Sequence, residues 1–286
     1  MLDMYINIKN AYFAIESALR IAITNSQQYN TPGFKYSFPV FSTMFEKVLQ
    51  SGTETQNPVS FGSSLTLGGV NRDFSQAPLV EGTPLDVAIS GEGLFVLSDA
   101  DKVQFSGAIS YVYSRNGRFR IQSGTRFLVD MFGRVVMGYS INEEGVTSTQ
   151  LEPIRIEDET DLGFIDGGIL VNNFSAASES DTASATPLYR LALTTFQNKQ
   201  GLGSNDGSSF VETAASGPNA GFGSSGSQIA GTNSTYGEIL GNSYEGSNVD
   251  IARINLDMTV LNRGTAAVQG VMDDLGKTLT GFLSKL

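Results

Sequence analysis

From Ile254 to Leu286 the apolar positions step alternately by four and three residues: Ile254, Met258, Leu261, Thr265, Val268, Met272, Leu275, Leu279, Phe282 and Leu286, with Thr265 the polar exception. That spacing averages about 3.5 residues, the repeat of a coiled-coil seam, and predicts a long helix with one apolar ridge. Asp257, Asn262, Arg263, Gln269, Asp273, Asp274, Lys277 and Lys285 stand between the ridge positions and form a solvated face. Asn248 or Asp250 would cap the helix, because an acceptor there satisfies a free backbone N–H. Gly264, Gly270, Gly276 and Gly281 are out of place, each costing about 1 kcal/mol against alanine in a helix interior. Close approach of a neighbouring helix would account for them.

The other end repeats the pattern. Met1, Tyr5, Ile8, Tyr12, Ile15, Leu19 and Ala22 keep the same steps; the ridge decays at Ser26, and Thr31-Pro32-Gly33 stops the helix. The two ridges lie about 230 residues apart in the chain. They could pair only with each other inside one globular fold. Alternatively, they are buried between chains, since two helices cover each other's ridge on one side only. The second arrangement resembles subunits that polymerise through their ends.

The middle changes period. Leu85, Val87 and Ile89, the turn Ser90-Gly91-Glu92-Gly93, and Leu94 to Leu97 predict a hairpin. Tyr111 and Tyr113, Asn116-Gly117, then Phe119 and Ile121 predict a second. Phe127 to Val129 and Val135 to Tyr139, around Gly133, predict a third. Residues 151–156, 162–174 around Asp166-Gly167-Gly168, and Pro187 to Phe196 add strands. The fold class is therefore mixed: an all-β central domain of roughly ten strands, flanked by N- and C-terminal coiled-coil-like helices packed together. Residues 198–247 are dominated by Gly, Ser, Asn and Thr, with Phe210, Phe222 and Tyr236 as apolar anchors. They predict either a surface loop or an extended connector. Five segments follow: an N-terminal helix (1–33), a connector (34–82), a β domain (83–197), a loop and return connector (198–247) and a C-terminal helix (248–286).

Chemistry is sparse. The chain has no Cys, His or Trp, which excludes disulfides, thiolate or imidazole metal sites and the Ser-His-Asp triad. A net charge of -11 makes nucleic acid an unsuitable partner. No run approaches the roughly 20 apolar residues of a membrane span. The N-terminus does not resemble a secretory signal, since Asp3, Lys9 and Glu16 interrupt it. Asp273-Asp274 and Glu143-Glu144 are sequence neighbours that do not face each other as an acid/base pair. Asp99, Asp101, Glu157, Asp158 and Asp161 could supply a carboxylate pair, but nothing selects one. Asp99-Ala-Asp101 begins like a calcium loop and fails at Val103 and Phe105. No enzyme, cofactor or metal is expected.

Several motifs, in order along the chain, resemble those of bacterial flagellar rod and hook subunits. Tyr29-Asn30-Thr31-Pro32-Gly33-Phe34-Lys35 resembles the motif that closes their N-terminal helix. Leu85-Asp86-Val87-Ala88-Ile89-Ser90-Gly91-Glu92-Gly93-Leu94-Phe95-Val96 is similar to their signature hairpin. Tyr113-Ser114-Arg115-Asn116-Gly117-Arg118-Phe119 and Gly133 to Tyr139 resemble the strands that follow. Leu191 to Phe196 with Gly201-Leu202, and Gly246-Ser247-Asn248-Val249-Asp250 before the last helix, complete the series. The chain departs from the family's Asn-Asn-x-Ala-Asn at Thr24 to Gln28, keeping one asparagine, and from its Gln-Arg-Ala-Tyr at Asn262-Arg263-Gly264-Thr265.

The resemblance implies a structural subunit of the flagellar rod, most like the distal rod, with the hook subunit as alternative and a non-flagellar β-domain adhesin as a lesser one. It implies export without a cleaved signal peptide, through the flagellar export apparatus. It further implies a helical homopolymer in the periplasm-spanning basal-body rod, touching other rod and hook subunits, transmitting torque and surrounding the export channel. No nucleic acid and no membrane insertion are expected. The interface candidates are Ile8, Tyr12, Ile15, Leu19, Ile254, Met258, Leu261, Val268, Met272, Leu275 and Leu279. The turn candidates are Thr31, Pro32, Gly33 and Phe34, and the hairpin candidates Asp86, Gly91 and Gly93, with Gly93 and Gly117 expected at backbone angles that other residues avoid. Arg115, Arg118 and Arg120 form a basic cluster expected on a solvated face or in an intersubunit salt bridge. Met44 to Gly68 is the candidate for a stiffening segment of the distal rod, or a plain linker.

Overall fold

The computed structural model describes residues 2–43, 46–50, 59–62, 65–99, 110–142, 144–156, 161–175 and 185–283. The chain forms two compact units, one from residues 1–29, 36–73 and 249–286, the other from 30–35 and 74–248.

The first unit is built on two helices, α1 (Leu2–Gln27) and α2 (Ile251–Leu283). They pack on each other, and α1 also packs on the antiparallel pair Ser37–Thr43 and Leu65–Arg72. Asp250 is the α2 cap: its Oδ1 accepts the Ala252 N–H at 2.9 Å. Asn248 instead donates to the Ser75 carbonyl at 3.3 Å. Strand pairing continues in Glu46–Gln50 with Val59–Gly62. A two-stranded ribbon is marginal alone, and α1 supports the Ser37–Thr43 and Leu65–Arg72 pair. The described parts of Met44 to Gly68 are strands, and 44, 45, 51–58, 63 and 64 lie outside the described residues.

The second unit is all β, sixteen strands among the described residues, from Leu79–Glu81 to Ser243–Glu245. Leu94–Ser98 lies at the centre of a 12-stranded sheet and is buried along its whole length. Phe95 and Leu97 enter one core cluster with Val87, Ile89, Phe119 and Leu191. Leu94 and Val96 enter another with Tyr113, Phe196 and Phe210. A strand buried on both faces reads as a continuous apolar run.

Two expected hairpins are corrected. Val87–Ser90 pairs with Glu238–Gly241, not with Leu94–Ser98. Both edges of Leu94–Ser98 are filled, one by Tyr111–Ser114 and the other by Val135–Ser140 and Leu193–Thr194. Asn116-Gly117 is no hairpin turn either, because Arg120–Ile121 pairs with Leu128–Val129. Gly117 carries the chain past Val87, accepting its N–H at 3.0 Å. A Cβ on Gly117 would lie 1.8 Å from the Val87 carbonyl oxygen. The residue is required for space, whereas Gly93 does adopt φ +145. The third hairpin forms, with Val129 opposite Val135 and Gly133 at φ +86. Leu162–Ile165 and Ile169–Asn172 also form a hairpin, with Gly167 and Gly168 both at positive φ in its turn.

Residues 198–247 are woven into the core rather than lying outside it as loop or connector. Gly203–Ser204, Ser209–Val211, Glu238–Gly241 and Ser243–Glu245 are strands. Leu202 and Phe210 fill one core cluster, and Ile229, Tyr236 and Ile239 the other. Five well-spaced anchors suffice because the intervening backbone is satisfied locally. Ser216, Ser227 and Thr232 hydroxyls each donate to the carbonyl three residues back.

Candidate assembly surface

The N-terminal helix buries a stripe of small residues: Ala14, Ala18, Ala22 and Asn25 are its fully buried positions. They follow at intervals of four, four and three, one face of a helix. Asn25 pairs with both backbone groups of Ser37, its Nδ2 donating to the carbonyl at 2.6 Å and its Oδ1 accepting the N–H at 3.0 Å. This is the asparagine retained in the departed Thr24–Gln28 stretch, and the pairing fixes the ribbon to α1. Tyr36 Oη donates to Asp257 Oδ2 at 3.1 Å and so ties the strand side to α2. Burial, then the Asp257 carboxylate, raises the Tyr36 phenol above its ordinary pKa, which keeps it a donor.

The ridge residues are placed differently. Ile8, Tyr12, Ile15 and Leu19 are half-buried, and so are Met258, Leu261, Val268, Met272 and Leu275. Ile254 is buried, and the side chain of Leu279, like Met1 and Leu286, lies outside what is described. Pairing of α1 with α2 thus covers the two ridges in part. A second set of apolar side chains, missed by the ridge pattern, stands in solvent: Ile6, Phe13 and Ile23 on α1, and Leu256, Val260 and Val271 on α2. Leu256 is 64% exposed and Val260 59%. The signal was in the sequence, since 256, 260, 267 and 271 share one face, but the stronger ridge masked it. Large apolar side chains exposed on both helices make this unit the candidate for contact with other molecules.

The α2 glycines do not serve the α1–α2 contact. A Cβ on Gly264 would meet Ile15 at 3.6 Å, an ordinary contact, and at Gly270, Gly276 and Gly281 it would meet nothing within 4 Å.

In the β unit the motif residues converge on one buried ion cluster. Thr31 to Phe34 form a turn in which the Phe34 N–H donates to the Thr31 carbonyl at 3.2 Å. Gly33 adopts φ +69 and donates to the Glu245 carbonyl at 2.9 Å; a Cβ there would sit 2.4 Å from the Asn116 nitrogen. The turn delivers Lys35 to Glu245, Nζ to Oε1 at 2.7 Å, and Arg115 Nε reaches the other carboxylate oxygen at 2.7 Å. Arg115 also donates to the carbonyls of Gly91 and Gly93, at 2.9 and 2.8 Å. The Ala77 N–H donates to Glu245 at 2.8 Å, and Lys35 to the Ser75 carbonyl at 2.6 Å. Arg115 is therefore a core residue, not part of an exposed cluster. Arg118 lies over the Tyr244 ring and 3.7 Å from Asp86, whose Oδ2 accepts the Thr83 N–H at 2.8 Å. Arg120 is exposed. Lys35 and Glu245 carried no sequence signal as a pair, because 210 residues separate them.

Among the described residues no cluster of three or more metal-ligating side chains gathers, and no helix is long and apolar enough to cross a membrane. What the structure offers is apolar surface on a helical unit and a β unit with two packed core clusters.

No family model matches the chain. It is 28% identical over 262 residues to the flagellar basal-body rod protein FlgG of Agrobacterium fabrum, an alignment covering 87% of this chain and 86% of that protein. The chain is similar to rod and hook proteins of the bacterial flagellum. Among its hook relatives, the FlgE protein of Helicobacter pylori is 28% identical over 160 residues, 52% of this chain and 21% of that protein. FlgE of Salmonella typhimurium is 34% identical over 118 residues, 41% of this chain and 24% of that protein. The chain thus spans about a fifth to a quarter of the hook relatives it matches.

Proposed function

We propose that this chain is a structural subunit of the flagellar rod, with no catalytic role, that polymerises into a helical tube transmitting torque and surrounding the export channel. The observation that carries the reading is the alignment along 86% of a rod protein's length, together with ridges that one copy leaves half covered. The subunit interface comprises Ile8, Tyr12, Ile15, Leu19, Ile254, Met258, Leu261, Val268, Met272, Leu275 and Leu279. Its partners are further copies and other rod and hook subunits, reached through the flagellar export apparatus without a cleaved signal peptide. Its place is the basal body. The Met44 to Gly68 segment stiffens the tube. A hook subunit is the second reading, favoured by the 34% identity to the Salmonella hook protein.

Deleting the gene in its source bacterium tests this. Purified basal bodies are expected to lack the outer part of the rod and all hook, and the cells not to swim. Basal bodies with a complete rod and no hook would support the hook reading, and normal swimming would exclude both.

A further inference from the structure

A recess of about 410 Å³ opens in the helical unit, walled by Ala18 and Ala22 of α1, Phe38 and Phe41 of the ribbon, and Leu256 and Val260 of α2. Asp257 and Arg253 also line it, the carboxylate held by the Tyr36 hydroxyl and the guanidinium stacked over the Tyr36 ring at 5.0 Å. Elsewhere on α1, Ile6 and Phe13 project as an apolar knob, 45% and 51% exposed. Lys9 stands over the Phe13 ring at 5.7 Å, on the same face. Knob and recess match in apolar character, and the cation beside the knob has a counterpart in Asp257, since the Arg253 guanidinium that also lines the recess is turned onto the Tyr36 ring.

They cannot meet within one chain. Both belong to the continuous helix α1, and residues 9 and 22 are separated by roughly 20 Å at 1.5 Å per residue. We propose that the recess receives the Ile6–Phe13 knob of a second copy, with Lys9 of one chain opposite Asp257 of the next. Such a contact uses two different patches and leaves a free knob and a free recess at either end. A contact of this kind repeats from copy to copy, and it builds an open helical array where the rotation between copies does not close a ring. The inference rests on the reading of the chain as a polymerising subunit and specifies which surfaces meet.

Carbodiimide, which joins an amine directly to a touching carboxylate, is the probe. Tubes grown from an equal mixture of isotopically heavy and light full-length chains are treated and their peptides identified. A Lys9–Asp257 amide joining a heavy to a light peptide is the expected product. Lys9→Asp and Asp257→Lys are each expected to raise the concentration needed for polymerisation at least about tenfold, and the double variant to restore it, since like charges opposed at an interface cost several kcal/mol. Circular dichroism of each variant checks folding, and Asp257→Asn, which keeps an acceptor for Tyr36, should weaken polymerisation less than Asp257→Lys. Tubes without the heavy–light cross-link, or single variants that the double does not rescue, overturn the pairing while leaving the rod reading intact. A wild-type chain that never polymerises removes the ground from both.

Discussion

Replacing Glu245 with leucine is expected to cost the β unit about 3–5 kcal/mol, the range for stripping one partner from a buried ion pair. Its side chain is fully occluded, as is that of Lys35, and the Arg115 side chain is 5% exposed. Without the carboxylate, two cations remain in the core with carbonyls as their acceptors. The loss is a large share of a typical 5–15 kcal/mol of stability. For a unit of this size it corresponds to a melting point lower by roughly 6–20 °C. Thermal unfolding followed by circular dichroism measures it. Glu245→Leu combined with Lys35→Met and Arg115→Met is expected to recover much of the loss, because an apolar core of similar volume can match a buried ion cluster. A Glu245→Leu protein melting within about 2 °C of wild type would show that the cluster is not what joins residues 30–35, 77, 91–93 and 115 to the strand Ser243–Glu245.

Leu261→Asp or Val268→Asp is expected to abolish polymerisation and leave β-unit unfolding unchanged within about 0.5 kcal/mol, the usual range for a substitution away from the core. Each site is half-buried in one copy. Completing the burial of such a side chain contributes roughly 1.5–3 kcal/mol. An aspartate there forfeits that gain and adds the cost of desolvating a charge. The penalty recurs at every subunit, so a modest change per contact stops a polymer. Sedimentation of each variant beside wild type measures the effect, and a variant that pellets as tubes at the wild-type concentration would place the interface elsewhere.

The helical ends were legible because a ridge at coiled-coil spacing has one physical meaning, and the caps and stops around it are local. Asp250 acts on the Ala252 N–H two residues on, and the Phe34 N–H closes the turn on the Thr31 carbonyl. The strand partners were not legible. Leu85 to Leu97 looks like a hairpin by local turn chemistry, yet Val87–Ser90 finds Glu238–Gly241, a partner some 150 residues on. Nothing in the sequence near Leu94 announces that both of its edges will be filled. The Gly/Ser/Asn-rich stretch misled for a related reason: composition averages over Leu202, Phe210, Ile229, Tyr236 and Ile239, and a core needs only those. The ion cluster was invisible in its parts. The Thr31–Phe34 turn, Gly91, Gly93 and Arg115 were each singled out, but the carboxylate that joins them sits in an unremarkable strand. The α2 glycines were expected to explain a close helix contact, and the single copy supplies none.

The most direct measurement is electron microscopy of the purified full-length chain at rising concentration, paired with limited proteolysis at each step. The account predicts tubes above a threshold concentration, with the two helical ends cut readily below it and protected above it. A chain that stays monomeric at every concentration, with its ends equally resistant throughout, would contradict it.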